Sequence, residues 1–248
     1  MGSISTFKQN IHRRLFPAAI KEYQVIKAYD IWSENYDSQP GNLMLDLDQI
    51  VFSKLLDAVD LKNKAVADIG CGTGRHWPII SEKKPESLTG FDFSPGMLGK
   101  LMEKFPDAHT HIITDNSFSN IPDAAYDVIV STLTLAHIEH IEEAINAWCR
   151  LLKPNGEIII TDFHPDALAS GGQRTFKHQN RHIAVENFSH ATATIKDILL
   201  KNGLTLVNEE ERKVEESVKH YYVAQNAAHV YDKFKGLPII YGIHFRRV

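Results

Sequence analysis

The run Asp68-Ile69-Gly70-Cys71-Gly72-Thr73-Gly74 carries the densest chemical signal in this 248-residue chain. An apolar stretch from Ala65 leads into it, so the glycines follow a strand. There they permit a tight turn and remove side chains where a ligand must lie against backbone. The expected ligand is flat or anionic. A dinucleotide fingerprint, G-x-G-x-x-G, would need a glycine where Arg75 stands, and the third glycine comes one residue early, at Gly74. That spacing disfavours a bound pyrophosphate, and with it the rival reading of a nicotinamide-dependent oxidoreductase. Asp92, in Leu88-Thr89-Gly90-Phe91-Asp92-Phe93-Ser94-Pro95-Gly96-Met97, falls at the tip of a second strand, where a carboxylate accepts both hydrogen bonds of a ribose diol. Asp115, in Ile113-Thr114-Asp115-Asn116, ends the next strand, where it or the neighbouring amide meets an adenine amino group. One such acid alone reads as a helix cap; three at consecutive strand ends bracket one crevice.

Two histidines are candidates for proton transfer. His137 and His164 follow the fourth and fifth expected strands, at the carboxyl ends where ligands bind in such sheets, and an imidazole titrates near neutrality. The alternative is architectural, with His137 capping a helix that begins near Ile138 and His164 held by the turn at Pro165. His178, His182 and His190 have no carboxylate or cysteine placed with them, so no metal is expected.

The elements that must position these residues follow from hydrophobic periodicity. Helices are expected around 20–37 and 45–60, then strands at Ala65 to Ile69, Ser87 to Phe91, His109 to Ile113, Tyr126 to Ser131 and Glu157 to Asp162, separated by helical stretches. Alternation of this kind implies an α/β fold with a doubly wound parallel sheet covered on both faces. Asp166 to Glu186 is long for a connection and reads as a lid or an excursion over the site. A helix over Ala193 to Lys201, a strand over Leu204 to Val214, a helix over His220 to Phe234 and a strand over Leu237 to Phe245 complete the pattern. Residues 1–60 are expected to form a helical cap and 61–248 the core, with 164–190 as the excursion.

Composition narrows the class. With 43% apolar and 23% charged residues the chain is an ordinary globular protein, and a net charge of -4 lacks the basic footprint of a nucleic-acid binder. Cys71 and Cys149 make neither a bridge framework nor a ligand pair, which suits a reducing cytosol, and no stretch approaches a membrane span. The expected state is a cytoplasmic monomer or homodimer without stable membrane insertion. From Met1 to Lys21 there is no acid, and Lys8, Arg13 and Arg14 interleave with apolar residues. This fits a capping helix or, alternatively, a targeting or membrane-surface segment, and Met1-Gly2 with Thr6 fits a myristoylation pattern.

Taken together, Val66 to His76, Leu88 to Met97, Ile113 to Asn116, Tyr126 to Ile138 and Leu152 to Asp162 resemble the ordered motifs of class I S-adenosylmethionine-dependent methyltransferases. The resemblance implies a Rossmann-like sheet of about seven strands with an antiparallel last strand. It also implies S-adenosylmethionine as donor and S-adenosylhomocysteine as product, with Asp68 near the amino acid end. Gly70, Cys71, Gly72 and Gly74 would wrap the methionine and ribose. Asp92 would hold the ribose, Asp115 and Asn116 would meet the adenine, Phe93 and Met97 would pack on its face, and Thr132 would join the donor contacts. The segment Tyr29-Asp30-Ile31-Trp32-Ser33-Glu34-Asn35-Tyr36-Asp37 is similar to the front helix of the ubiquinone-, menaquinone- and natural-product-type branch, where it covers the donor. That makes Tyr29 a donor contact and Tyr36 a catalytic candidate; an aromatic stripe at helical spacing equally reads as core. Metal-dependent relatives place an acid where this chain has Ser131-Thr132-Leu133, so magnesium is not expected. The implied reaction is methylation of O, N or C of a small organic acceptor, with a non-methyl-transfer reaction such as cyclisation as the alternative.

Overall fold

A computed structural model describes residues 21–39, 41–179 and 181–248; the basic segment before residue 21, with its targeting and lipidation readings, lies outside them. Strands β2 (Ala65–Ile69), β3 (Ser87–Asp92), β4 (His109–Ile112), β5 (Tyr126–Thr132), β6 (Leu152–Phe163), β9 (Leu204–Lys213) and β10 (Pro238–Arg247) form one sheet in the order β4-β3-β2-β5-β6-β10-β9. β2 to β6 run parallel, and β10 is antiparallel to both β6 and β9. The chain walks outward from β2 to β4 and returns to β5 on the other side of β2, so the strand order reverses between β2 and β5. A crevice opens at the carboxyl ends there.

Both faces of the sheet are apolar because neighbouring residues of each strand point to opposite sides. Ala67, Ile129, Ile158 and Ile160 pack under α5 (Ile141–Leu151) and α7 (Thr192–Lys201). Val66, Val128, Val130 and Ile159 pack under α2 (Leu43–Leu56) and α9 (Ala228–Phe234). In α5 the buried Ile141, Ala144, Ile145, Trp148 and Cys149 recur at the three- and four-residue spacing of one helix face. Within the cap expected over residues 1–60, the helix Leu43–Leu56 therefore packs on the sheet as part of its cover.

Three further elements differ from the periodicity. The expected helix over 20–37 opens as strand β1 (Lys21–Tyr23), continues as α1 (Val25–Trp32) and ends in a 3-10 turn, Tyr36–Ser38. β1 pairs parallel with β8 (Arg181–Val185), which forms a hairpin with β7 (Thr175–His178), so the excursion after α6 (Pro165–Ala169) is tied to the front of the chain. A pairing between residues about 160 apart leaves no mark in a local pattern. The helix expected over 220–234 is split into α8 (Lys219–Ala224) and α9, with Asn226 in left-handed backbone at φ 55 between them, a conformation that stops a helix. The remaining helices, α3 (Trp77–Glu82) and α4 (Pro95–Lys104), follow β2 and β3.

Candidate active site

A cavity of about 1230 Å³ occupies the crevice. Its floor is the turn after β2. Gly70 and Gly72 both adopt positive φ, +75 and +54, and a Cβ on Gly70 would run into the Thr134 side chain, whereas one on Gly72 would meet nothing within 4 Å. Gly70 is thus required by the fold, whereas Gly72 faces open space. Asp68 is buried and accepts from Trp77 Nε1 at 2.9 Å; desolvation lifts its pKa to about 7, and the nearby Asp92 charge adds to this.

Asp92, at the end of β3, accepts the backbone N–H of Gly72 and of Ser94, each at 2.8 Å. One carboxylate therefore fastens the glycine turn to the start of α4, with lone pairs on both oxygens left over. Desolvation raises its pKa to about 6 against the downward pull of those two amides. Asp115 is exposed at the rim, where its Oδ1 accepts from Ser117 N at 2.8 Å and Ser117 Oγ at 2.5 Å, and its pKa is lowered by those bonds. Asn116, Phe93, Met97, Cys71 and Thr132 also line the cavity. Desolvation holds the Cys71 thiol well above its usual range.

The front segment closes over this floor through its own acids. Asp30 Oδ1 accepts from Ser94 Oγ at 2.6 Å and from Gly96 N at 3.1 Å, which joins α1 to the first turn of α4. Asp37 accepts from Thr73 Oγ1 at 2.7 Å and from Lys104 Nζ at 2.8 Å, which joins the 3-10 turn to the glycine turn. Tyr29 and Tyr36 both line the cavity. The Tyr29 hydroxyl meets His137 Nε2 at 2.9 Å, and Tyr36 Oη accepts from Arg174 at 3.1 Å. The buried Arg174, just ahead of β7, also donates to the Leu133 carbonyl at 3.0 Å and lies over the Tyr29 and Trp32 rings at 5.5 and 5.3 Å.

Two of the expected site residues lie elsewhere. His164 does not line the cavity; its Nδ1 accepts from Asp166 N at 3.2 Å and caps α6, while Nε2 faces Glu211 at 3.6 Å. The strand β6 ends one residue before it, and the chain turns away from the crevice there. Gly74 faces Leu101 and Phe105 of the α4 region instead of the cavity, its φ of +73 serving helix packing. His137 does line the cavity, in a 3-10 turn, while the helix beyond it starts only at Ile141. Among the described residues no group of three or more His, Cys, Asp or Glu side chains could hold a metal ion.

The sequence reading also passed over several residues that build the site. Asp30, Asp37 and Arg174 carry it from the cover. Beneath the turn, buried Asp48 of α2 receives Arg75, His76 Nε2 at 3.0 Å and Thr161. Burial alone would raise the Asp48 pKa, but Arg75 and those bonds pull it well below its usual range. Arg75 in the place of the missing third glycine was the available signal for this anchor.

Residues 67–160 match the family model described as "Methyltransferase domain". A tRNA U34 carboxymethyltransferase of Helicobacter pylori is 36% identical over 112 residues, 42% of this chain and 42% of that protein. The chain spans about half the length of the curated relatives it matches. Among solved structures, the cyclase SpnF superposes with a TM-score of 0.65 at 14% identity, covering 93% of this chain and 99% of that one. The magnesium protoporphyrin IX methyltransferase of Synechocystis PCC 6803 with bound S-adenosylhomocysteine gives 0.60 at 18% identity, covering 97% and 100%. Among the described residues no helix is long and apolar enough to cross a membrane. The strand order, the crevice at its reversal and the match over residues 67–160 agree: residues 67–160 match a methyltransferase domain, and the chain has the fold of class I S-adenosylmethionine-dependent methyltransferases.

Proposed function

We propose that this chain transfers the methyl group of S-adenosylmethionine to O, N or C of a small organic molecule. The observation that carries the reading is the size of the cavity. About 1230 Å³ exceeds the roughly 300–1,000 Å³ of a pocket for one drug-sized ligand, so donor and acceptor fit side by side under the front segment. In this reading Asp92 accepts the ribose hydroxyls, Asp115 and Asn116 meet the adenine between Phe93 and Met97, and Gly70 to Gly72 with Asp68 hold the amino acid end. Thr132 and Tyr29 close the donor side.

Methyl transfer is a direct displacement: the acceptor atom forms a bond to the methyl carbon as the carbon–sulfur bond breaks and its electron pair returns to sulfur. The chain's part is to hold the two in line and exclude water, which α1 and the β7–β8 hairpin do by covering the crevice. The net charge of -4 favours a small acceptor over a nucleic acid. A second reading, a reaction without methyl transfer on the same bound donor, draws on the likeness to SpnF and on the fact that His137, the one histidine candidate at the cavity wall, is already engaged on both ring nitrogens. Labelled-methyl transfer across a panel of acceptors tests the choice: label in a product supports the transferase, and product formed with the donor recovered intact supports the second reading.

A further inference from the structure

Among the described residues Arg174 is a buried cation with no carboxylate in ion-pair contact. Its exposure is 7%, and a guanidinium carries five N–H donors. Two of them reach neutral acceptors, the Leu133 carbonyl and the Tyr36 hydroxyl. Two carboxylates act on it through space, Asp162 and Asp48, but neither is hydrogen-bonded to it. Asp162 accepts the backbone N–H of Ala136 at 2.8 Å and of Phe163 at 2.6 Å, and Asp48 holds Arg75, His76 and Thr161. A desolvated charge of this kind is costly unless something pairs with it.

The side chain is also aimed and stiffened. The Tyr29 and Trp32 rings flank the guanidinium, Trp32 in turn stacks on Phe176 at 4.6 Å, and the Leu133 bond fixes the fork at the cavity wall. A planar fork held this way, with donors left toward a cavity, is the arrangement that recognises a carboxylate or phosphate. Among the described residues its anchors lie on the cover and at Leu133, and none in the glycine turn. A bare guanidinium would repel the cationic sulfonium of the donor, and an anion seated between them removes that repulsion.

We propose that Arg174 seats an oxyanion of the methyl acceptor, so that the acceptor is a small molecule carrying a carboxylate or a phosphate group. The proposal rests on the methyl-transfer reading of the cavity.

The test uses the full chain and Arg174→Met, with Arg174→Lys as a second variant that keeps the charge without the fork. S-adenosylhomocysteine binding is measured by calorimetry, and the saturated complexes are titrated with formate, benzoate and inorganic phosphate at constant ionic strength, with benzamide as the neutral control. The expected result is an S-adenosylhomocysteine affinity within about threefold of the parent in both variants. The parent complex should show saturable anion binding that is at least tenfold weaker in Arg174→Met and intermediate in Arg174→Lys, with no response to benzamide. Stronger binding of the carboxylates or of phosphate then identifies the acceptor's group. Three outcomes overturn the proposal. One is an absence of anion binding to the parent complex. Another is equal binding in parent and Arg174→Met. The third is loss of S-adenosylhomocysteine in Arg174→Met with 5′-methylthioadenosine binding retained, since that compound lacks the amino acid carboxylate and the result would assign Arg174 to the donor. Failure of the parent to bind S-adenosylhomocysteine at all would instead remove the methyl-transfer reading.

Discussion

The Tyr29 hydroxyl lies 2.9 Å from Nε2 of His137, and Nδ1 of the same ring lies 2.9 Å from the Glu186 carbonyl. A carbonyl only accepts, so Nδ1 carries the proton and Nε2 receives the hydroxyl hydrogen of Tyr29. The imidazole is thus a neutral link between α1, the turn after β5 and the segment leaving β8.

Desolvation, helped by the Arg174 charge, brings the His137 pKa down to about 3. A folded value below the unfolded one of about 6.5 means that the native state binds fewer protons between them. The contribution to stability is therefore complete above about 6.5 and is lost as pH falls toward 3, at about 1.4 kcal/mol per unit. Turnover should accordingly show no limb from His137 between pH 6 and 9, while amide protection factors in residues 25–32 and 181–188, which correct for the intrinsic slowing of exchange in acid, should fall as pH drops from 7 to 5. Local exchange is the readout because His76, with its pKa brought down to about 4 by desolvation, moves global stability the same way. A limb near pH 6.5 that His137→Gln abolishes would make the ring a working base instead.

Asp92 should make donor affinity pH-dependent in the same direction. Its carboxylate must be ionised to accept two ribose hydroxyls while holding Gly72 and Ser94, and its pKa lies at about 6. Affinity for S-adenosylhomocysteine should fall about tenfold per unit below that value. Without ligand the sign reverses: the raised folded pKa contributes stability below about 3.9 that is lost as pH rises through about 6. Asp92→Asn should weaken binding by about 1–3 kcal/mol at pH 8 and flatten the dependence. Calorimetry from pH 5 to 8 checks both, and an unchanged affinity in the folded variant would move the ribose elsewhere.

Two glycines of one turn should fail differently. Gly72→Ala places a methyl group in open space at φ +54, at a cost of about 1 kcal/mol in stability, and it should cut donor affinity at least tenfold. Gly70→Ala meets the Thr134 side chain as well as its own φ of +75, and it should unfold the domain or lower its stability by more than 2 kcal/mol. Denaturant melts paired with donor titration separate the two. Normal donor binding by Gly72→Ala would show that the ligand does not lie against this turn.

Asp30 and His164 make a matched pair of controls, one on the cover and one outside the cavity. Asp30→Asn weakens the link from α1 to Ser94 and Gly96 and should reduce donor affinity several-fold. His164→Ala removes the cap on α6 and should cost about 0.5–2 kcal/mol in stability, with donor affinity and turnover within about threefold of the parent. A large loss of turnover in folded His164→Ala would contradict its position.

The sheet was legible because each of its strands advertises itself locally. Val66, Ala67 and Ile69 form a short apolar run closed by glycines, and Val128 to Val130 and Ile158 to Ile160 are β-branched apolar runs. The crevice was legible too, since Asp68 and Asp92 stand at strand ends and Asp115 follows three residues after its own, and a strand's end is a property of its own sequence. The helix expected over 20–37 hides a strand because β1 exists only by pairing with β8.

Residue types and spacing alone determine a glycine turn at Gly70 to Gly72 with an acid one strand away, and from these the expectation of a ligand between them. Tertiary structure decided which histidine faces it. His137 and His164 sit at equivalent points after neighbouring strands, yet one reaches the cavity wall and the other caps α6, because the chain leaves β5 toward the crevice and leaves β6 away from it. The same holds for Arg174. In sequence it is one cation in a polar stretch between a glycine pair and the β7 strand; only the hairpin's return over α1 strips its water, sets Tyr29 and Trp32 against it and leaves its charge facing the cavity. Burial is a property of what other segments bring to a residue, and no local pattern encodes it.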